Sequence, residues 1–289
     1  MMPVLFEFHL FGWDIALPTY GFLLAIAFLL ALALATRQAR RSGVEASVVT
    51  DLWIISLISG VLGAKLLLYL LDFRHYLAHP WDIVKTLRSA GVFYGGLIAA
   101  ILVCLIVVRR RGLNGWLIGD VLAPAIILGQ AVGRWGCFAA GCCYGSETSV
   151  PWAVTFTDPQ AYEVTGVPLN VARHPVQLYL SLADFVLCFI LLAVAARKKF
   201  DGQVILLYVI LYALLRGTLE TFRGDPRGEM MGLSTSQWIS IAAGICGILL
   251  YVWRSRQAGA SGTSPASRPG RGGAGHHGPG RKSREAPAR

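Results

Sequence analysis

The stretch 129–145 combines a charged side chain, several glycines and three cysteines at the end of a long apolar run. It reads GQAVGRWGCFAAGCCYG, with Arg134 between glycines and with Cys137, Cys142 and Cys143 after it. A guanidinium is costly in hydrocarbon, so an arginine in an apolar run indicates a functional site whose partner has to be found. No acidic residue lies within four positions of Arg134. The partner must therefore come from another part of the chain.

A second polar stripe, in another apolar run, supplies candidate partners. Tyr212, Arg216 and Glu220 recur at steps of four, which places them on one helical face, and Arg223 follows. Three arginines, Arg134 included, against one glutamate leave a surplus of two positive charges. A lipid phosphate suits this surplus, because arginine binds phosphate in a bidentate fork. An internal ion pair between Arg216 and Glu220 that only fixes helix packing is the alternative.

The composition of the chain indicates a membrane protein. The chain is 55% hydrophobic and only 15% charged over 289 residues, which is too little polar surface for a soluble two-domain protein. The net charge of +10 comes largely from short basic clusters after apolar runs and from the C-terminal segment. This distribution is typical of topology signals and of contact with anionic membrane lipids, not of nucleic-acid binding.

We predict an all-α polytopic membrane protein with seven transmembrane helices, since a span needs roughly 20 apolar residues. The candidate spans are about 18–36, 50–71, 91–108, 117–138, 175–196, 203–222 and 236–253. The segments after the first, third, fifth and seventh spans each begin with a cluster of Arg and Lys that contains no acid, whereas the other connections mix basic and acidic residues. Because cytoplasmic loops are rich in Lys and Arg, this pattern predicts the N-terminus outside and the C-terminus in the cytoplasm.

Two parts of the chain are distinguished by composition. Residues 1–256 form the predicted seven-helix membrane domain. Residues 257–289 are rich in Gly, Ser, Pro and Arg and have almost no apolar bulk to bury, which predicts a disordered basic cytoplasmic tail.

The predicted topology gathers polar and aromatic groups at one level near the outer surface. Arg134 and the stripe around Arg216 reach that level from the fourth and sixth spans. Tyr20, Tyr94 and His174 lie at the outer ends of the first, third and fifth spans.

Four motifs at these positions resemble the prolipoprotein diacylglyceryl transferase family. They are Gly133-Arg-Trp-Gly-Cys-Phe with Gly141 and Gly145, Phe93-Tyr-Gly-Gly-Leu-Ile, His174-Pro-Val-Gln-Leu-Tyr, and Arg216-x-x-x-Glu220 with Phe222-Arg223. They occur in the family's order over about residues 18–253 and leave the C-terminal tail outside. Each is weak alone, whereas together they are specific.

The resemblance implies an enzyme of the bacterial cytoplasmic (inner) membrane whose active site faces the outer leaflet. It would transfer the diacylglyceryl group of phosphatidylglycerol to the lipobox cysteine of a preprolipoprotein signal peptide and release glycerol 1-phosphate. This chemistry requires no cofactor and no metal. The expected partners are these two substrates and membrane lipids, without nucleic acid.

The resemblance and the chemistry of the transfer together suggest site residues. The expected catalytic residues are Arg134, Arg216, Glu220, Tyr94 and His174, and the expected substrate-binding residues are Arg134, Tyr20, Gly95, Gly96, Gly133, Gly136, Tyr212 and Arg223. In this assignment Arg134 and Arg216 hold the phosphodiester, and His174 or Glu220 accepts the thiol proton.

Three positions depart from the family's commonest pattern. Tyr94 stands where that pattern has His, Cys137 where it has Asn, and Cys142 where it has an acid. Tyrosine is a poor base at neutral pH but a good hydrogen-bond donor to a phosphate oxygen, so the usual candidate base is missing.

Two other functions remain as alternatives. Cys137, Cys142 and Cys143 could serve a membrane thiol/quinone oxidoreductase, although their spacing matches neither Cys-x-x-Cys nor a common zinc pattern. A basic intramembrane cavity also suits a lipid-binding transporter, although the sequence shows no internal repeat of the kind that many transporters have.

Overall fold

The computed structural model describes residues 4–10, 13–86, 91–225 and 228–260, most of which are helical. The helices are α1 (Thr19–Arg41), α2 (Ala46–Leu71), α3 (Phe73–Ala78), α4 (Asp82–Lys85), α5 (Phe93–Arg110), α6 (Gly115–Ala140), α7 (Pro159–Thr165), α8 (Val176–Ala195), α9 (Gln203–Leu219) and α10 (Thr235–Ala260). A 3-10 turn, Glu220–Phe222, continues α9. Three antiparallel two-stranded ribbons pair β1 (Val4–Leu10) with β2 (Trp13–Pro18), β3 (Val154–Thr155) with β4 (Ala172–Arg173), and β5 (Glu229–Met230) with β6 (Leu233–Ser234).

Within the described residues, seven helices are long and apolar enough to cross a membrane, which confirms the all-α, seven-span prediction. They are α1, α2, α5, α6, α8, α9 with its 3-10 turn, and α10. Several extend past the predicted spans: α1 continues to Arg41 and α10 to Ala260. Hydropathy marks only the apolar part of each helix, whereas the helical backbone runs on into basic ends whose side chains can reach the membrane surface.

The predicted tail begins inside the last helix. Residues 257–260 belong to α10, so the helix extends slightly beyond the predicted boundary. The rest of the predicted tail, 261–289, lies outside the described residues.

Helix α6, which carries Arg134, is the central element of the bundle and packs against α1, α8 and α9. Small residues allow the close approach to α1, because a Cβ at Gly129 would already lie 3.3 Å from the Cβ of Ala31. On the α8 side, buried Ile127 packs in one cluster with Leu187 and Leu191. These contacts fix the helix on which Arg134 is mounted.

Helices α2 and α5 form a second closely packed pair. A Cβ at Gly95 would lie 2.4 Å from the carbonyl oxygen of Gly63, and one at Gly96 would lie 2.7 Å from that of Gly60. No side chain fits at such a distance from backbone atoms. The two glycines of the Phe93-Tyr-Gly-Gly motif therefore have a packing role.

A small cap of loops, β3, β4 and α7 follows α6 and has its own core around Phe156 and Val167. Gly141 turns the chain into this cap with φ of +77°, and a Cβ there would lie 3.2 Å from Val167. The cap then pairs with the chain after α9, since Gly145 bridges to Arg223 and the Ser146 amide donates to the Phe222 carbonyl at 2.8 Å. This pairing brings the cysteine-containing loop next to Arg223.

At the opposite end of the bundle, Asp120 of α6 caps the start of α9. Its carboxylate accepts hydrogen bonds from the backbone amides of Gly202, Val204 and Ile205 at 2.9–3.1 Å. Lys198 adds an ion pair at 2.9 Å. A single buried carboxylate thus joins α6, α9 and the loop between α8 and α9.

Candidate active site

Arg134 lies near the end of α6, partly buried among groups from other helices. Its guanidinium interacts electrostatically with Tyr212 of α9, with Cys137 and Cys143, and with Asp184 of α8. No hydrogen bond or ion pair joins Arg134 to another residue in the described ranges, so its donors remain available to a ligand.

Asp184 is an acidic residue that interacts with Arg134. It lies in the apolar helix α8, is fully buried, and interacts electrostatically with both Arg134 and Arg216. Neither of its carboxylate oxygens has a hydrogen-bond partner among the described residues. The carboxylate therefore acts on the two arginines through its charge and not through a direct ion pair.

Arg216 and Glu220 form the ion pair that their spacing predicts, within a wider network. Arg216 donates from Nη1 to Glu220 Oε2 and from Nη2 to Ser236 Oγ at 3.2 Å. Buried Glu220 also accepts from Ser234 Oγ at 3.0 Å and lies 3.7 Å from Arg223 Nε. The Glu220 carboxylate is thus surrounded by the protein's own donors, and Arg216 is held between α9 and α10.

The Arg223 side chain is almost completely buried and forms an ion pair with Asp225. Nε and Nη2 donate to the two carboxylate oxygens of Asp225 at 2.9 and 2.8 Å, whereas Nη1 has no hydrogen-bond partner in the described part of the chain. Burial works against its charge, but the hydrogen bonds to Asp225 raise the pKa of Arg223 above its ordinary value.

The surplus of two positive charges predicted from the sequence leaves out two acids that the structure brings close to these arginines. That count included only Glu220, whereas Asp225 pairs with Arg223 and Asp184 lies close enough to act on Arg134 and Arg216. Three acids then stand against three arginines. Arg134 differs from the other two arginines because it forms no hydrogen bond or ion pair with any described residue.

The three cysteines of the first motif meet beside Arg134. The Sγ atoms of Cys137, Cys142 and Cys143 all lie within 4.8 Å of one another. Hydrogen bonds from Cys137 and Cys142, with the charge of Arg223, lower the pKa of Cys143, although burial opposes this shift. Hydrogen bonds with Cys137 and Cys143 raise the pKa of Cys142.

Tyr20 and two glycines of α6 shape the space around these groups. A Cβ at Gly136 would lie 3.2 Å from the Tyr20 ring, so this glycine lets α1 place its tyrosine against α6. A Cβ at Gly133, the residue before Arg134, would meet nothing within 4 Å, so there is open space at this position of α6. Tyr20 interacts electrostatically with the three cysteines and with Arg134.

His174, the expected base, lies in an aromatic setting at the start of α8. Its Nδ1 is 3.2 Å from the Tyr179 hydroxyl, which also accepts a hydrogen bond from Trp152 Nε1 at 2.6 Å. Its ring lies edge-on to Phe222 with centroids 5.3 Å apart. One imidazole nitrogen is therefore already engaged by the protein.

A family model described as prolipoprotein diacylglyceryl transferase matches residues 3–253. The chain belongs to this family. Three similar curated proteins carry the name phosphatidylglycerol–prolipoprotein diacylglyceryl transferase. One from Clostridium tetani is 37% identical over 251 residues, covering 87% of this chain and 97% of that protein. One from Finegoldia magna is 33% identical (86% and 95% covered), and one from Bordetella bronchiseptica is 34% identical (84% and 92%).

In this diacylglyceryl transferase family member, the structure brings together most of the residues that the sequence singled out. Electrostatic interactions, hydrogen bonds or close packing join Arg134, Tyr20, Gly136, Tyr212, Arg216, Glu220 and Arg223 into one region, with Gly133 beside Arg134. His174 joins its edge through Phe222.

Three of the predicted positions have other surroundings. The ring of Tyr94 contacts Phe93, and Gly95 and Gly96 pack against α2. A role of Tyr94 as a donor to phosphate and of the two glycines in substrate binding therefore stays a prediction.

The sequence did not point to several residues that the structure places in this region. They are Asp184, Asp225, Ser234, Ser236 and Gln177, which donates from Nε2 to the Cys142 carbonyl at 2.8 Å. Asp184 could have been recognised from the sequence, because it is an ionisable residue inside an apolar span, as Arg134 is. The serines and Asp225 carried none, since loops and helix starts are commonly polar.

Proposed function

We propose that this chain transfers the diacylglyceryl group of phosphatidylglycerol to a cysteine thiol of prolipoproteins, forming a thioether and releasing glycerol 1-phosphate. The substrates follow from the names of its relatives. The observation that carries the proposal is Arg134, which lies on the central helix next to Gly133 and forms no hydrogen bond or ion pair with another described residue.

The reaction is an alkyl transfer in which the substrate sulfur attacks the glycerol carbon that bears the phosphate. As the carbon–oxygen bond breaks, a second negative charge develops on the leaving phosphate. Arg134 can bind two phosphate oxygens in a fork and stabilise that charge, and preorganised donors of this kind give large rate effects. Asp184 of α8 interacts electrostatically with both Arg134 and Arg216.

Arg216 supports the same site from α9. Glu220 and Ser236 hold its guanidinium in one orientation, so little conformational entropy is lost when a phosphate binds. His174 remains the proposed acceptor of the thiol proton, because the nearby Glu220 carboxylate is occupied by Arg216 and Ser234.

The finer substrate and its location are part of the proposal. The thiol belongs to a lipobox cysteine at the end of a preprolipoprotein signal peptide, and the site opens to the outer leaflet of the bacterial inner membrane. Supporting this orientation, the last turns of α1 and α5, at the other end of the bundle, carry Arg40, Arg41, Arg109 and Arg110.

The function is tested with purified protein, phosphatidylglycerol vesicles and a lipobox peptide, with mass spectrometry to detect a thioether-linked diacylglyceryl peptide. Arg134→Ala should lower the rate roughly 100-fold or more, because it removes the phosphate-binding donor. Arg110→Ala, at the exposed end of α5, is the matched control and should be unchanged. Absence of the product with wild-type protein, or normal transfer by Arg134→Ala, would contradict the proposal.

The two alternative functions receive no support from these relatives, which are named as transferases.

His174→Ala examines the base separately, because a normal rate would remove His174 from the mechanism without affecting the role of Arg134.

A further inference from the structure

The proposed phosphate chemistry leaves the three clustered cysteines without a role. Two left-handed residues create the cluster: Gly141 with φ of +77° ends α6, and Cys143 has φ of +59°. Together they fold the chain back over the last turn of the helix, where Cys137 lies. A left-handed non-glycine residue costs about 1–2 kcal/mol, so the backbone holds Cys143 here against its own preference.

The cluster has the arrangement of a three-ligand metal site. All three sulfurs are free thiols, partly exposed, with Sγ atoms within 4.8 Å of one another. Two sulfurs bound to one Zn2+ at ~2.3 Å each are about 3.8 Å apart in a tetrahedron, which agrees with this spacing. Among the described residues, no fourth Cys, His, Asp or Glu joins the group. Three protein ligands with one open position are typical of catalytic zinc.

The surroundings suit the charge of such a site. Three thiolates around one Zn2+ carry a net charge of −1, and a fourth thiolate makes it −2. Arg134 interacts electrostatically with Cys137 and Cys143, and Arg223 interacts with Cys143. Buried Arg223 also has one guanidinium nitrogen, Nη1, without a hydrogen-bond partner in the described ranges. Two cations beside the sulfurs offset the negative charge of the complex.

We propose that Cys137, Cys142 and Cys143 bind one Zn2+ ion, and that its open position takes the thiol of the prolipoprotein cysteine. This inference rests on the proposed transfer reaction and replaces the sequence-based expectation that no metal is used. A thiol that coordinates a metal ion is deprotonated outright, so the site generates the attacking sulfur beside the arginine that binds the phosphate.

The step balances without an oxidant or reductant. The substrate thiol takes the open zinc position, and as the zinc–sulfur bond forms its proton passes to His174, the proposed acceptor, which releases it to solvent. The sulfur electron pair attacks the glycerol carbon, a carbon–sulfur bond forms, and the carbon–oxygen bond breaks with its electron pair staying on the phosphate. The neutral thioether is a poorer ligand and leaves the zinc. The proton given to solvent balances the additional negative charge of glycerol 1-phosphate.

The first experiment measures metal binding independently of activity. The full chain, purified without added chelator, should contain about one Zn2+ per chain by elemental analysis, and Cys142→Ser and Cys143→Ser should lose it. Cys246→Ser is the matched control, since Cys246 is an exposed thiol of α10 outside the cluster, and it should keep the metal. A chain without zinc that does not take up added Zn2+, or a disulfide between two cluster cysteines, would overturn the proposal.

The second experiment asks whether the metal holds the substrate sulfur. After replacement of zinc by Co2+, a lipobox peptide should increase the thiolate-to-cobalt charge-transfer absorption, whereas the same peptide with Ser in place of Cys should not. Removing the metal from wild-type protein should lower the transfer rate at least roughly tenfold, because most of a free thiol is protonated at neutral pH, and Zn2+ should restore it.

These measurements separate the metal site from the proposed function. Full transfer by the metal-free wild-type chain would overturn the zinc proposal and leave the transferase function intact. Cobalt coordination of the peptide thiol without any thioether product would support the metal site and contradict the transferase function. Since chelation needs no mutation, misfolding of a cysteine variant does not affect this comparison.

Discussion

Arg134 and Asp184 interact electrostatically from α6 and α8 without a hydrogen bond between them. A direct ion pair would use the hydrogen-bond donors of the Arg134 guanidinium. An electrostatic interaction with Asp184 at a distance leaves those donors available to a phosphate. The neighbouring Arg216 shows the other solution, because Glu220 and Ser236 hold it directly. The region thus combines Arg134, whose donors are available to a ligand, with Arg216, whose orientation is set by hydrogen bonds to the protein.

Asp184→Asn tests this division of roles. The substitution keeps the shape of the side chain and removes the charge that acts on Arg134 and Arg216, so we expect the KM for phosphatidylglycerol to rise and the transfer rate to fall roughly tenfold. Initial rates in vesicles of increasing phosphatidylglycerol content measure both parameters. Asp72→Asn, at the exposed end of α2, serves as the control. Kinetics equal to wild type would show that Asp184 does not position the arginines.

Among the helices, α6 couples the two ends of the molecule. Its C-terminal turns carry Arg134 and Cys137, and its N-terminal half carries Asp120, which caps α9 and binds Lys198. The position of α9, and with it of Arg216, therefore depends on a contact at the far end of the bundle. Helix packing thus links a residue outside the site to the geometry of the site.

Asp120→Ala should destabilise the fold by about 1–3 kcal/mol, because it leaves three backbone amides without their buried acceptor, whereas Lys198 keeps its ion pair with Asp201 at 2.8 Å. Unfolding of the detergent-solubilised protein in increasing SDS measures this loss. Asp51→Ala breaks an exposed ion pair with Arg111 and should cost less than about 1 kcal/mol. Equal stability of the two variants would contradict the structural role of Asp120.

Gly95→Ala distinguishes packing from substrate binding in the Phe93-Tyr-Gly-Gly motif. Its Cβ would lie 2.4 Å from the Gly63 carbonyl oxygen, so α2 and α5 must move apart at a cost of about 1–3 kcal/mol. Thermal unfolding should reveal the loss, and Gly21→Ala, whose Cβ meets only Pro18 at 3.7 Å, should be tolerated. A Gly95→Ala protein of normal stability that transfers poorly would instead favour a direct role in the site.

Across the whole molecule, the basic helix ends lie opposite the end that holds the arginines and cysteines. Tyr20 at the start of α1, Arg134 near the end of α6 and His174 just before α8 all lie at the end with the cysteines. The last turns of α1 and α5 place arginines at the opposite end. A single orientation in the membrane would therefore place the site on the outer side and the basic loops in the cytoplasm.

Two loop glycines provide a matched test of this orientation. Gly112 follows α5 and Gly166 follows α7; both have positive φ, +64° and +70°, and neither would bring a Cβ within 4 Å of another atom. A cysteine at either position therefore meets similar strain. A membrane-impermeant thiol reagent should label Gly166→Cys in intact cells above the wild-type background and Gly112→Cys only after lysis. The reverse pattern would invert the topology.

The seven spans could be predicted from the sequence because hydropathy and span length are properties of single segments, and each helix satisfies its own backbone hydrogen bonds in the membrane. Arg134, Arg216 and Glu220 could be found for the same local reason, as polar groups within apolar runs. Only the tertiary structure decided which groups meet. It placed Asp184 near Arg134, paired Asp225 with Arg223, and gave Gly95 and Gly96 a packing role. The cysteine cluster depends on two left-handed residues and on the cap, so the arrangement of its sulfurs follows from the backbone path and not from their spacing in the sequence.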